Sequence, residues 1–179
     1  VAAAENPAVP GFIATLLPIQ GATFVGAGGA HSCAIAGDVT SCWGANHRGQ
    51  LGRPASASET AMPVPGLTDG VAVSLGGFHT CVRHRSGRVS CFGANDFGQL
   101  GDGSFVQHTT PVSVPGLPSG VSAITAGSLH TCARTAAGAA QCWGYNGQAQ
   151  VGDGTFITRV APVTVSGLTS GVTSIAAGD

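Results

Sequence analysis

Short apolar segments rich in β-branched residues recur along the chain and are separated by turn-forming residues. Three of them, VAVSLGG, VSAITAG and VTSIAAG, begin at Val71, Val121 and Val172. No segment carries the 3.6-residue apolar period of an amphipathic helix. Because short β-branched runs bounded by glycine and proline are typical of strands, the pattern predicts an all-β protein.

Longer motifs repeat together with these segments at a nearly constant spacing. His31, His79 and His130 each open a His-Ser/Thr-Cys segment, and they lie 48 and 51 residues apart. A tight turn, a Cys-Trp-Gly or Cys-Phe-Gly segment and a glycine-rich stretch with an asparagine follow each of them. A period of about 50 residues is typical of solenoids, propellers and repeat arrays. Four short strands per period predict that each repeat forms one antiparallel blade of a β-propeller.

A Val-Pro-Gly-Leu turn, or a close variant of it, marks the end of each repeat. We expect a linker or frayed terminus at residues 1–8 and propeller repeats from residue 9 to residue 179. The repeats span about 9–65, 66–115 and 116–166, with a partial repeat at 167–179. Such a chain, with about three and a half repeats, cannot close a ring, and its open ends would expose unpaired strand edges. We expect the missing blades to come from a longer chain or a neighbouring subunit.

The six cysteines fall into three close pairs, one in each predicted hairpin. The pairs are Cys33 with Cys42, Cys81 with Cys91, and Cys132 with Cys142. A register that sets each pair opposite leaves a two-residue turn in the first hairpin and three-residue turns ending in glycine in the others, which are favoured lengths. Counting outward from each turn places every pair at a non-hydrogen-bonded site, where Cα atoms lie about 4.5 Å apart. This spacing permits a disulfide.

Two other interpretations of the cysteines stay open at this point. Cysteine is also a small residue that packs well in a core without bonding. A zinc site is less favoured, because each pair would lie in its own hairpin without a second cysteine or histidine pair nearby. Disulfides would indicate an oxidising compartment. On that interpretation we expect an extracytoplasmic protein that is periplasmic, attached to the cell surface or secreted.

Charge and hydropathy narrow the classes of partner. Charged residues make up only 8% of the chain, and the net charge at pH 7 is −1. No overall field therefore attracts nucleic acid or an anionic membrane. The sequence has no run of 18 or more apolar residues, so we expect no membrane span. We expect the partner to be another protein or a larger assembly, and not nucleic acid.

The repeated motifs HTCA, G-x-V-x-C-W-G, N-x-x-G-Q-L-G-D-G and P-V-x-V-x-G-L resemble the regulator of chromosome condensation repeat family. The resemblance covers about Val9 to Asp179. It implies a seven-bladed β-propeller of four-stranded blades that serves as a binding platform. The family includes guanine-nucleotide exchange factors, a plant ultraviolet photoreceptor and a secreted bacterial β-lactamase inhibitor. The cysteine-bearing repeats look like those of bacterial extracytoplasmic members. Phe92 in place of tryptophan and Ala149 in place of glycine depart from the pattern.

Residues that repeat in every blade are predicted to serve the framework. The three repeated histidines could suggest a metal site, but propeller symmetry separates them, so we expect each imidazole to satisfy backbone groups within its own blade. The Gly-Asp-Gly sequences at 101–103 and 152–154 lack further carboxylates at ligand spacing, so a turn is favoured over a calcium or phosphate loop. Asparagines at equivalent positions are expected to bond their local turns; they are Asn46, Asn95 and Asn146.

Residues that do not repeat are better candidates for binding, because framework needs are shared among blades. Four residues of one predicted hairpin tip form a basic patch suited to an acidic protein surface or a phosphate, although a solvated turn is the alternative; they are Arg83, His84, Arg85 and Arg88. Phe97 and Tyr145 lie in loops and could be interface anchors. Phe105 and Phe156 hold equivalent positions, so we expect them to pack within the blades.

The sequence offers no pattern for catalysis. It contains no recognisable nucleophile–base pair, no spaced carboxylate pair and no cofactor motif, so we expect no cofactor and no enzymatic activity. The leading hypothesis is a non-enzymatic extracytoplasmic scaffold that binds a protein partner. The alternatives are a nucleotide-exchange factor acting on a small GTPase and a secreted inhibitor of an extracellular enzyme.

Overall fold

The computed structural model describes residues 21–118 and 120–178. The predicted linker and the first copy of the Val-Pro-Gly turn lie outside the described residues. Twelve strands and no helix occur in the described part of the chain. The strands are β1 Ala22–Ala27, β2 His31–Ala36, β3 Val39–Gly44, β4 Ser58–Pro63, β5 Gly70–Leu75, β6 His79–His84, β7 Val89–Gly93, β8 His108–Ser113, β9 Val121–Ala126, β10 His130–Thr135, β11 Ala140–Gly144 and β12 Arg159–Thr164.

The strands form three antiparallel sheets of four strands, each following the order of the chain. Their orders are β1-β2-β3-β4, β5-β6-β7-β8 and β9-β10-β11-β12. The first strand of each sheet contacts the first strand of the next, whereas the last strands lie at the outer edge. The sheets therefore fan out from their inner strands as propeller blades do, which confirms the predicted all-β fold and its four-stranded units.

Proline has a consistent place in these sheets. Pro63, Pro111 and Pro162 all lie on the outermost strand of their sheet. Because proline has no backbone N–H to donate to a ladder, an outer edge tolerates it and a central strand does not.

The hairpins have the registers that the cysteine spacing predicts. Gly37 and Asp38 form the two-residue turn of the first hairpin, since Ala36 pairs with Val39. In the second hairpin, the His84 N–H donates to the Arg88 carbonyl, and Gly87 has a φ of +79°. That left-handed conformation explains why glycine ends the three-residue turn.

Each cysteine pair is joined by a disulfide within its own sheet. The bonds link Cys33 to Cys42, Cys81 to Cys91 and Cys132 to Cys142. The two Cα atoms lie 4.1 Å apart in every pair, as expected for a directly opposed, non-hydrogen-bonded site. No free cysteine occurs among the described residues.

The hydrophobic core lies between neighbouring sheets. Ile35 and Leu51 of the first sheet pack with Val82 and Phe92 of the second. On the other side of the second sheet, Leu100 packs with Trp143 of the third, together with their neighbours. A single blade could not bury both of its faces, so each depends on the next for its core.

The repeated histidines connect one sheet to the next. The His31 Nε2 atom lies 2.7 Å from Thr80 Oγ1 of the second sheet, and that hydroxyl donates to the Gln50 carbonyl at 2.9 Å. His79 repeats the arrangement with Thr131 at 2.9 Å. For His31 and His79, the prediction that the imidazole satisfies backbone groups within its own blade is wrong, because sheet packing places a hydroxyl of the neighbouring sheet within hydrogen-bond distance of Nε2.

The direction of these hydrogen bonds fixes the state of the imidazoles. Because the Thr80 hydroxyl gives its proton to a carbonyl, its oxygen accepts from His31, which therefore carries its proton on Nε2. The Nδ1 atoms of His31 and His79 are buried without a partner among the described residues. Burial lowers the pKa of His31 to about 4 and that of His79 to about 3, so both rings are neutral at pH 7.

Glycine is required where the loops after the inner strands approach each other. The Gly29 N–H donates to the Gly76 carbonyl, and the Gly77 N–H donates to the Ser128 carbonyl, so successive blades are bonded through their main chains. A Cβ atom on Gly76 would lie 2.2 Å from His79 Cε1 and 2.4 Å from the Gly127 carbonyl oxygen. No side chain fits at this position without moving a neighbouring blade.

Replacing Gly76 with alanine should reduce the free energy of unfolding by about 1–3 kcal/mol, because the added methyl group overpacks a junction made partly of backbone. Ser56 lies in an exposed part of the 45–57 loop, away from this junction. Ser56→Ala is therefore the control and should leave stability nearly unchanged in urea denaturation. Equal effects of the two substitutions would contradict the tight junction.

The neutral histidines should also make stability depend on pH. An exposed histidine in the unfolded chain has a pKa of about 6.5, above the folded values for His31 and His79. The unfolded state therefore binds more protons below pH 6.5, and the unfolding free energy should fall by about 1.4 kcal/mol per pH unit for each histidine between pH 6 and 4.

The double variant His31→Gln, His79→Gln keeps a side-chain N–H donor at both positions but does not titrate there. It should remove the share of the slope due to these two residues in urea denaturation and leave the contribution of His130, whose pKa is also lowered by burial. The carboxylates with lowered pKa values contribute only at lower pH, near and below their ordinary values around 4. A wild-type stability that is flat from pH 6.5 to 4.5 would contradict the assignment of neutral rings.

Candidate functional site

The antiparallel order of each sheet gives the three blades two distinct ends. We call the end with the β-hairpin turns the lower face; the turns lie at 37–38, 85–87 and 136–138. We call the opposite end the upper face; it carries the loops at 28–30, 45–57, 76–78, 94–107, 127–129 and 145–158. The residues predicted to bind a partner are divided between them, because Phe97 and Tyr145 lie on the upper face and Arg85 and Arg88 on the lower. They cannot form one contiguous site.

Side chains that do not repeat form contacts between neighbouring blades on the upper face. The rings of Phe97 and Tyr145 meet edge to face with centroids 5.1 Å apart. His47 and Phe78 make a similar contact at 5.2 Å, and Arg48 forms an ion pair with Asp96. Each contact joins a loop of one sheet to a loop of the next, so the upper face presents a continuous row of aromatic and charged groups.

Asparagine side chains hold the upper-face loops in shape. The Asn95 amide oxygen accepts from the Leu100 N–H at 2.9 Å, and its nitrogen donates to the carbonyl of Val106. Asn46 and Asn146 make the same kind of bonds. Their predicted role in local turns is confirmed, and it means that the loops are fixed by their own framework rather than by a ligand.

The aspartates of the two Gly-Asp-Gly sequences also serve the turns. Burial opposes ionisation of Asp102, but hydrogen bonds from Ser104 and Asn95 lower its pKa below the ordinary value. Hydrogen bonds from Thr155 and Arg159 lower the pKa of Asp153 to about 2. Both carboxylates are occupied by neighbouring donors, which agrees with the turn and not with a calcium loop.

Two aromatic residues predicted to pack within the blades are instead exposed. Phe105 is 58% exposed and Phe156 is 73% exposed, and the apolar residue after each, Val106 and Ile157, is exposed as well. The prediction was wrong because equivalence between repeats indicates a shared backbone position and not burial. These residues lie in the upper-face loops and add to its apolar surface.

The axial end of the upper face contains a depression of about 650 Å³. Its walls are the glycine-rich loops that follow the inner strands, including Gly28, Gly76 and Gly127, with Phe78 beside them. Phe78 is 41% exposed. Because the walls are mostly backbone, a ligand in this depression could be recognised by the shape of the walls and by the ring of Phe78, but it would meet no set of reactive side chains.

The basic patch on the lower face is smaller than the sequence indicates. Arg85 forms an ion pair with Asp38 of the neighbouring sheet, which neutralises part of the charge. Arg88 is exposed, and its Nε atom lies 3.3 Å from Ser86 Oγ. Arg83 is half-buried, and its Nε atom is enclosed. Arg88 therefore contributes most of the exposed positive charge of this tip.

His84 belongs to the interior and not to the exposed patch. It is 5% exposed, its Nδ1 atom lies 2.5 Å from Asp69 Oδ1, and its Nε2 atom lies 2.8 Å from Ser90 Oγ. The hydrogen bond from His84 is the main reason why the pKa of Asp69 is lowered. The structure thus assembles a serine, a histidine and an aspartate that the sequence analysis did not associate.

The sequence carried only a partial signal for this cluster, namely that the histidine does not repeat in the other hairpins. His84 corresponds to Ala36 in the first hairpin and to Thr135 in the third, and Ser90 corresponds to Gln141 in the third. The second blade alone combines all three groups, but they come from separate segments, so no linear motif reveals their contact.

Neither a membrane helix nor a metal cluster is found in the part of the chain that the structure describes. None of its elements is a helix long and apolar enough to cross a bilayer. The described residues also include no group of three or more histidine, cysteine, aspartate or glutamate side chains placed to hold a metal ion.

Comparison with known protein families gives a match to one repeat. A family model described as the regulator of chromosome condensation (RCC1) repeat matches residues 42–83 and 86–134, which together make up just over half of the chain. A second model with the same description matches residues 71–99 and 121–150.

Similar proteins with curated descriptions have diverse roles. The human E3 ubiquitin-protein ligase HERC2 is 34% identical over 140 residues, covering 76% of this chain and 3% of the relative. The Arabidopsis thaliana ultraviolet-B receptor UVR8 is 32% identical over 147 residues, covering 79% and 33%. The Mus musculus regulator of chromosome condensation is 41% identical over 101 residues, covering 54% and 24%. The chain spans a third or less of the length of these relatives.

Several solved structures share this fold. Prp20p from Saccharomyces cerevisiae, described with its binding properties to Gsp1p and histones, has a TM-score of 0.74 at 20% identity, covering 88% of this chain and 42% of the other. The same yeast protein has been solved bound to Kap60, with a TM-score of 0.72 at 20% identity, covering 82% and 37%. Human WBSCR16 has a TM-score of 0.75 at 21% identity, covering 87% and 44%. At such identities the likeness establishes the fold alone.

The aromatic contact between blades should contribute little to stability. Phe97→Ala and Tyr145→Ala should each cost about 1 kcal/mol of unfolding free energy, with a coupling of about 0.5–1.5 kcal/mol in a double-mutant cycle, as for other edge-to-face pairs. Phe105→Ala, at an exposed site, should change stability by less than about 0.5 kcal/mol. A loss of several kcal/mol for Tyr145→Ala would show that the pair is part of the core and unsuited to partner binding.

Proposed function

The chain belongs to the regulator of chromosome condensation repeat family, and from that premise we propose that it is an extracytoplasmic scaffold that binds a protein partner through its upper face. Binding of the partner requires no chemical reaction at this surface. The blades would hold the loops in place, and the partner would be recognised by the side chains that differ from blade to blade.

The observation that carries this proposal is the row of non-repeating side chains on the upper face. Phe97 and Tyr145 contact each other from neighbouring blades, and asparagine side chains fix the loops that carry them. Aromatic residues on rigid supports make good anchors, because little conformational entropy is lost when they bind. The exposed Phe105 and Phe156 would extend the contact area on the same face.

A binding role also agrees with what is described of one relative. Yeast Prp20p has the same fold and is described with binding to Gsp1p and histones. Because a fold alone does not specify a partner, this supports only the class of function. Which protein this chain binds would be decided by the loops, which differ in sequence between its own repeats.

The compartment proposal rests on the disulfides. Three such bonds in a chain of this size are typical of an oxidising environment. We place the protein in the periplasm, on the cell surface or in the medium. We further propose that blades supplied by a longer chain or a neighbouring subunit complete the ring, with seven blades as in the family.

The alternatives make different predictions about the cysteines. A nucleotide-exchange factor for a small GTPase would act in a reducing compartment, where the six cysteines would be free thiols. A secreted inhibitor of an extracellular enzyme would share the disulfides and differ only in its partner. The lower-face residues Arg85 and Arg88 are the second candidate contact surface, suited to an acidic partner.

The thiol state tests the compartment. Protein isolated from its native host under acid quench and then alkylated without reductant should gain no alkyl groups at the described cysteines, and it should gain six after reduction. Mass spectrometry of the intact protein reads both results. Six alkyl groups on the unreduced protein would remove the extracytoplasmic proposal and favour the exchange-factor alternative.

The binding face is tested by crosslinking at the site itself. A photoreactive residue replacing Phe105 would be compared with one replacing Arg88, each in the native host. We expect the photoreactive residue at position 105 to give a discrete crosslinked product. Adding Tyr145→Ala to that variant should reduce the yield of this product at least tenfold, whereas adding Arg85→Ala should leave the yield unchanged. A product formed from the Arg88 position alone would move the partner to the lower face, and no product from either would contradict the scaffold role.

A further inference from the structure

We propose that Ser90, His84 and Asp69 form a reactive serine site that accepts short acyl groups from activated esters. This activity is separate from partner binding, since the three residues lie in the second blade towards its lower face. It also goes beyond the sequence analysis, in which no nucleophile–base pair was recognisable.

The geometry is that of a nucleophile, a base and an orienting carboxylate. Ser90 Oγ lies 2.8 Å from His84 Nε2, and His84 Nδ1 lies 2.5 Å from Asp69 Oδ1. An ionised Asp69 accepts a hydrogen bond from the Nδ1–H group of His84, which leaves Nε2 unprotonated and able to accept the proton of the serine hydroxyl. Serine triads are recognised by this geometry and by these roles, not by sequence order or fold.

A purely structural role explains the cluster poorly. The first blade has Ser41 at the position of Ser90 but Ala36 in place of His84, and the third has Gln141 and Thr135. Both blades form the same hairpin and the same four-stranded sheet. The fold therefore does not require a histidine–aspartate pair at this point, and its presence in one blade calls for another reason.

The surroundings limit the substrate to a small one. Ser90 is half-buried, whereas the side chain of His84 is only 6% exposed and that of Asp69 is 42% exposed. Part of Ser90 is thus exposed to a small reagent, while the His84 ring is shielded from water that would weaken its hydrogen bonds. The positive charge of Arg88 nearby lowers the pKa of Asp69 further, which keeps the orienting carboxylate ionised.

The proposed reaction is ordinary acyl transfer. Ser90 Oγ forms a bond to the carbonyl carbon of the ester while its proton passes to His84 Nε2. The bond between that carbon and the alcohol oxygen breaks, and the alcohol leaves with the proton from His84. Water then attacks the acyl-serine in the same way and releases the carboxylic acid. Asp69 is a positioning residue, because it acts only through His84.

A fluorophosphonate ester is a suitable probe, because the serine–phosphorus bond forms as fluoride leaves and the product does not turn over. The native, disulfide-bonded protein is treated with the probe, digested and analysed by mass spectrometry. We expect the adduct on Ser90 at a rate at least tenfold above that on Ser41, which is also half-buried but faces no histidine. A positioned base contributes about 10²–10⁴-fold to such reactions.

Variants separate reactivity from folding. His84→Gln should lower the labelling rate of Ser90 at least tenfold, and Ser41→Ala should leave it unchanged. Asp69→Asn should lower it, whereas Asp69→Glu, which keeps a carboxylate, should restore part of it. The urea unfolding midpoint of each variant shows that it is folded. Absence of a Ser90 adduct on the folded wild-type protein, or equal labelling of Ser41 and Ser90, would overturn the proposal without any variant.

Discussion

The close approach of neighbouring blades at the axis is the constraint on which the rest of the structure depends. Gly76 leaves room for His79 and for the carbonyl of Gly127 in the next blade. His79 then reaches the Thr131 hydroxyl across the gap, and that hydroxyl donates to the Gln99 carbonyl of the histidine's own blade. Because the apolar core also lies between sheets, neither hydrogen bonding nor burial is complete within one repeat.

Because the blades are held together at the axis, the outward side chains of the upper-face loops can differ in sequence from blade to blade. Their backbones are held by the asparagine side chains and by turn aspartates, so a change of an outward side chain does not alter the frame. Aromatic and charged residues from different blades can then meet, as Phe97 and Tyr145 do. A repeat protein acquires a specific surface in this way without changing the blade that supports it.

The sequence predicted most of the framework and only part of the candidate sites. Hairpin registers followed from the cysteine spacing, because turn length and residue pairing are local properties. The partner of His31 could not be predicted, since Thr80 lies 49 positions away and the contact depends on how two sheets pack. The burial of His84 and the exposure of Phe105 were missed for the same reason. A repeated position fixes the backbone, whereas the environment of its side chain is set by the neighbouring blade.

The disulfides determine what happens when a protease cuts one of the hairpin turns. Each closes a short loop within one hairpin, and the exposed Arg85 and Arg88 lie inside the loop closed by Cys81 and Cys91. A trypsin-like enzyme that cuts after either arginine would break the peptide chain, but the sulfur–sulfur bond would still join the two fragments. The paired strands on either side of the cut would keep their partners in the sheet. A molecule cut at this tip would therefore remain assembled, and its two fragments could separate only after a reductant breaks the disulfide.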